Sequence, residues 1–120
     1  MKCSICDSQR HDSNLLKNHH WYLRKAGVGP NSYYILDAAR HVESLLSLQR
    51  EEWESLGPAL SQGLQWVEQG SPQKIYIACL SEKVPHVHFH LVPRSADHEK
   101  GISHLDKALS GSYPGEGDFH

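Results

Sequence analysis

Three histidines stand at alternate positions in the run Pro85-His86-Val87-His88-Phe89-His90-Leu91-Val92-Pro93-Arg94, each separated from the next by one apolar residue. On an extended strand successive side chains point to opposite faces, so this spacing predicts the three imidazoles on one face and Val87, Phe89 and Leu91 on the other. Same-face neighbours are then about 6.5 to 7 Å apart, close enough for the rings to act on one ligand. An exposed face that happens to be polar is a poor account of the pattern, because Thr, Lys or Glu would serve it equally well. Two chemistries remain. The middle ring, His88, can attack phosphorus through a neutral nitrogen, form a phosphoramidate, and leave when water or another acceptor attacks in turn. Alternatively, two or three of the rings hold a zinc ion whose bound water is the nucleophile.

A second chemical signal lies at the start of the chain. Cys3-Ser4-Ile5-Cys6 has the spacing with which two thiolates grip one zinc ion, and such a pair needs two further ligands from elsewhere. A redox dithiol would open a helix after a strand, and Met1 and Lys2 are too few to form that strand. Cys79 lies in an apolar run and reads as a small core residue. Histidine is the outlier of the composition, with 10 in 120 residues, and it is the side chain that titrates near neutrality and ligates metals.

These groups need a scaffold, and the remaining sequence supplies one. His19 to Arg24 is bulky and aromatic, as a strand requires; Gly27-Val28-Gly29-Pro30-Asn31 is strong turn chemistry, and Ser32 to Leu36 follows as a second strand. From about Ser47 to Glu68, Trp53, Leu56, Leu60, Leu64 and Val67 recur at helical spacing and predict one buried stripe. Ser47 is the expected N-cap, with Glu51 and Glu52 in the first turn, and Gly70 the expected terminator. Gly57-Pro58 predicts a kink or break midway. Lys74 to Leu80 is nearly continuous apolar sequence and Val84 to Val92 alternates strictly, predicting two more strands. The fold class is therefore α+β with an antiparallel sheet. We expect a single domain over residues 1–110, followed by a tail over 111–120 that is rich in Gly, Ser and Pro.

The run His86-Val87-His88-Phe89-His90-Leu91-Val92 resembles the signature of the histidine triad (HIT) superfamily, in which three histidines alternate with apolar residues and two apolar residues follow. The order of elements from Cys3 to about Arg94 is similar too. This resemblance implies a sheet of about five strands with one long and one short helix, and nucleotidyl hydrolase or transferase activity at the α-phosphate of a nucleotide conjugate. It implies that His88 carries the transient nucleotidyl group, that the backbone carbonyl of His86 orients its other ring nitrogen, and that His90 helps hold the phosphate. The zinc-bearing branch of the family implies a structural zinc ion on Cys3, Cys6, His41 and His86; His19 or His20 is an alternative to His41. It also implies a homodimer formed partly by the long helix and its neighbouring strand.

The chain departs from the family pattern in places. Where many relatives carry Gly-Gln followed by Ser or Thr before the triad, this chain reads Ser81-Glu82-Lys83. Lys83 stands in the hydroxyl's place, where its charge suits a phosphate, the alternative being a solvated surface lysine. Asp37 ends the second strand where relatives often have proline, and Arg24-Lys25-Ala26 offers no counterpart to the acidic or amide residue that often holds the ribose. Trp21, Tyr22 and Tyr33 could stack on a base, but aromatic residues on strands are more often core.

Bulk properties narrow the partners. A formal net charge of -2 argues against a broad basic surface for duplex nucleic acid while leaving a local phosphate site open. No apolar run approaches the roughly 20 residues of a membrane helix. The first residues lack the apolar core of a secretory signal, so the cytoplasm is the expected location, with reduced thiols.

Overall fold

The strands fall largely on runs of bulky aliphatic and aromatic residues: β1 (Leu16–Lys17), β2 (Trp21–Ala26), β3 (Tyr33–Ala38), β4 (Lys74–Ala78) and β5 (His88–Arg94). They pair into one antiparallel sheet of five strands in the order β1-β2-β3-β5-β4. Helices α1 (Ser4–Gln9), α2 (Arg50–Glu68) and α3 (Ile102–Leu109), with a 3-10 turn over Leu45–Ser47, accompany the sheet among the described residues. The computed structural model describes residues 3–9, 15–27 and 32–110. The tail expected over 111–120 and the Val28-Gly29-Pro30-Asn31 part of the expected turn lie outside them. The α+β class agrees with the sequence reading, and α1 adds a second short helix to the one expected.

One sheet face packs on α2. Trp21, Leu23, Leu36, Ala38, Phe89 and Leu91 meet Leu56, Ala59 and Val67 in a continuous apolar cluster. The helix comes so close at Gly63 that an added Cβ would stand 2.7 Å from a Leu91 methyl, so the missing side chain sets the distance between helix and sheet. The buried stripe is rotated from the predicted one: it runs through Glu52, Leu56, Ala59, Gly63 and Val67, while Trp53 is 48% exposed. A charged residue is tolerated inside because Arg40 donates to both Glu52 carboxylate oxygens at 2.8 and 3.3 Å. Glu52 also accepts the Gln49 N–H at 2.7 Å. Helix α2 therefore starts at Arg50 with Gln49 as its cap, and Ser44 rather than Ser47 caps the preceding turn. The expected break at Gly57-Pro58 does not occur. Both residues lie on the exposed side of the helix, away from its packing against the sheet. After the helix, Ser71 rather than a glycine takes the positive φ.

Burial pushes the Glu52 carboxyl upward, but the Arg40 guanidinium and the Gln49 N–H outweigh it and hold its pKa below the ordinary value. A carboxyl depressed in the folded state stabilises fully above its unfolded pKa and loses that contribution as pH falls through the folded one. Glu52→Gln is expected to cost about 1 to 2 kcal/mol at neutral pH. In urea titrations across pH, the gap between parent and variant should close below about pH 4.5, the ordinary carboxylate range; a constant gap would contradict the assignment.

The other sheet face carries Arg24, Tyr33, Ile35, Asp37, His88, His90, Val92 and Arg94 by the period-two rule. Helix α3 covers one end of it, where Ala26, Tyr33, Ile35 and Val92 pack on Ala108 and Leu109. His104 fixes that helix: its Nε2–H donates to the Pro93 carbonyl at 2.8 Å. Strand β5 begins at His88, later than the alternation predicts. His86 precedes it in the connecting segment, because the Val87 N–H turns away to the Val42 carbonyl at 2.7 Å.

Candidate functional site

Two clusters of chemically active side chains meet at His86. In the first, α1 turns the Cys3–Cys6 spacing into proximity: three residues span most of a helical turn, and the Cys6 N–H points to Cys3 Sγ at 3.4 Å. Against these thiols lie the Nδ1 atoms of His41 and His86. Cys3 Sγ is 3.4 Å from His86 Nδ1, Cys6 Sγ is 3.4 Å from His41 Nδ1 and 3.5 Å from His86 Nδ1, and the two Nδ1 atoms are 3.2 Å apart. All four ligand atoms lie within 4.8 Å of one another. A tetrahedral zinc with sulfur at about 2.3 Å and nitrogen at about 2.0 to 2.1 Å sets its ligand atoms roughly 3.3 to 3.8 Å apart, so the donor set fits such an ion. The outer nitrogens agree. His86 Nε2 is 2.7 Å from the Ala38 carbonyl and His41 Nε2 is 3.1 Å from a Glu43 carboxylate oxygen, so each Nε2 carries the proton and each Nδ1 presents a lone pair inward. Burial pushes the His86 pKa below the ordinary imidazole value, although the bond to Ala38 and the Asp37 charge act oppositely, and the neutral ring is the ligating form. His19 and His20 lie outside this cluster.

The second cluster is on β5. His88 and His90 are both fully buried, with ring centroids 4.8 Å apart and an interplanar angle of 75°. His88 Nδ1 is 2.5 Å from the His86 carbonyl, which only accepts; Nδ1 is therefore the protonated nitrogen, and Nε2 holds the lone pair in the neutral ring. His90 packs obliquely against Tyr33, with centroids 6.0 Å apart. The sequence expectation of three rings on one strand face thus becomes two rings on the strand and one ahead of it, turned to the thiols.

Around the triad stand residues that the sequence reading did not assign. Asp37 is the cross-strand partner of His88, and Arg24 donates to its two oxygens at 2.7 and 3.3 Å. Burial pushes the Asp37 carboxyl above the usual range while Arg24 acts against it; a guanidinium donating to both oxygens defines Asp37 as the anionic half of an ion pair. Ser81, with a positive φ of 53°, occupies the position where the resemblance implied glycine, and its hydroxyl accepts the His88 N–H at 3.3 Å. Lys83 is exposed in the segment between β4 and β5. The largest cavity described, about 590 Å³, lies elsewhere, among Lys25, Tyr34, Val67, Pro93 and His98.

Strand order, long helix and doubled histidine cluster together define the HIT fold. Three solved structures with that fold are similar to the chain. A HIT-like protein from Bartonella henselae described as involved in cell-cycle regulation shares 14% identity with a TM-score of 0.69, covering 89% of this chain and 91% of that one. A HIT-family member from Bacillus subtilis shares 13% with a TM-score of 0.68, covering 89% and 86%. A HIT-family protein from Bacillus anthracis shares 17% with a TM-score of 0.65, covering 88% and 82%. No protein-family model and no curated protein matches the sequence. Among the described residues, no helix is long and apolar enough to cross a membrane.

Proposed function

We propose that this protein is a HIT-type nucleotidyl hydrolase or transferase that acts at the α-phosphate of a nucleotide conjugate through a covalent nucleotidyl-His88 intermediate. The observation that carries the reading is the bond from His88 Nδ1 to the His86 carbonyl, because it fixes the tautomer whose Nε2 can attack. His90 is the second catalytic residue, placed to hold a phosphoryl oxygen. Lys83 is proposed as a substrate contact from the segment before the triad.

Cys3, Cys6, His41 and His86 would hold zinc, which as a closed site supplies structure rather than a reactive water. This bears on the rival reading, a zinc hydrolase with the triad as its ligands. The four donors occupy His86 with two thiols, and His88 and His90 belong to no metal-ligating group among the described residues. A non-catalytic nucleotide-binding module is the other alternative. Incubation with labelled nucleotide conjugates distinguishes the three. An acid-labile, alkali-stable nucleotidyl adduct at His88 supports the proposal; hydrolysis without adduct that requires metal supports the zinc hydrolase; binding without turnover supports the module. Residues 1–110 form the single catalytic domain in this reading. The chain is proposed to pair as a homodimer through α2 and the edge strand β4, where Ile77 is 46% exposed. Light scattering should then return twice the monomer mass, and a monomer mass would refute the pairing.

A further inference from the structure

Arg24 and Asp37 have no part in the mechanism so far, yet they occupy the triad face. Asp37 opposes His88 across the β3–β5 ladder. Opposed residues on antiparallel strands hold their Cβ atoms about 4.5 to 5.5 Å apart on one face. Neither residue has any solvent exposure, so no water intervenes from bulk to screen the carboxylate from the ring. Arg24 reaches Asp37 from the next strand over, its side chain only 13% exposed. An uncompensated carboxylate here would repel a phosphate. Arg24 cancels that repulsion at a distance, while His88, directly opposite Asp37, remains under the field of the nearer anion.

We infer that Asp37, held by Arg24, is a positioning residue that offsets the positive charge His88 acquires when its Nε2 bonds to phosphorus. The inference rests on the function proposed above. In the first step the Nε2 lone pair forms the N–P bond, the bond from phosphorus to the leaving group breaks, and the leaving group departs with that electron pair. Nδ1 keeps its proton on the His86 carbonyl, so the ring carries one positive charge. In the second, water bonds to phosphorus, the N–P electrons return to Nε2, and the water proton passes to solvent or to the departed group. The ring charge builds as the N–P bond forms and fades as it breaks, so a fixed anion beside it favours both transition states over the resting enzyme. The His86 carbonyl sets orientation; Asp37 sets the field.

The test uses the zinc-loaded full chain with two probes, adenosine 5′-phosphoramidate and the p-nitrophenyl ester of AMP. Asp37→Asn is expected to slow single-turnover adduct formation by roughly ten- to a hundredfold, with KM changed by less than about threefold. Arg24→Lys, which retains the charge but loses the two-point contact with Asp37, should fall between the parent and Asp37→Asn. The doubly neutral Asp37→Asn/Arg24→Gln keeps a hydrogen-bonded pair without charge and guards against misfolding of the single variant; it should show the same loss as Asp37→Asn. Zinc content and Tm are measured alongside. A parent-like adduct rate in a folded neutral variant would overturn the inference and leave the functional reading standing. Absence of any adduct in the parent with both probes would remove both.

Discussion

His88→Ala is expected to abolish turnover, with a fall in kcat of at least about 10⁴-fold, because the covalent route has no substitute for its nucleophile. The fall should come without unfolding. The His88 ring donates to the His86 carbonyl at the edge of strand β5, and nucleotide affinity should survive because the remaining groups that hold the phosphate are untouched. Turnover assays with isothermal titration of a nucleotide monophosphate check both halves. Residual hydrolysis within tenfold of the parent would transfer the nucleophile's role to another group. His90→Ala should produce a smaller loss, since it removes a phosphate contact and leaves the attacking nitrogen in place.

Removing the metal should have the larger effect on stability. Structural zinc sites supply apparent binding free energies of about 10 to 16 kcal/mol at neutral pH, much of it expressed as folding. Even a net loss of about 3 kcal/mol on Cys3→Ser or on chelation would lower Tm by roughly 12 °C in a domain of this size. The parent is expected to contain one zinc per chain by elemental analysis and Cys3→Ser substantially less. A metal-free parent with unchanged Tm in chelator would count against the site. Activity should fall together with metal content, because His86 contributes its ring to the cluster and its carbonyl to His88.

What the sequence made legible was whatever repeats with a period. Strict alternation marked His88 and His90 on one face of a strand, helical spacing marked the long helix, and the Cys3–Cys6 spacing marked a pair of ligands. Pairings set by register were hidden. Arg24 and Asp37 stand 13 residues apart on adjacent strands, and only the β2–β3 ladder brings them together. The one hint was an aspartate closing the apolar run Tyr33-Tyr34-Ile35-Leu36. Helix phase was uncertain for a related reason. Trp53 is the more apolar of two neighbours, yet Glu52 takes the inward position because Arg40 and the Trp21 indole, whose N–H donates to the Glu52 carbonyl at 3.1 Å, are there to receive it. The start of β5 was misjudged because alternation continues through His86 after the ladder has ended.

His86 faces two ways at once, and this makes the protein's two chemistries inseparable in failure. An oxidant that consumed the thiols of Cys3 and Cys6 would loosen the residue on which the attacking nitrogen depends, silencing a reaction centre that itself contains no sulfur. Thiol damage and triad damage would then look alike in any assay of rate, and a count of bound metal would tell them apart.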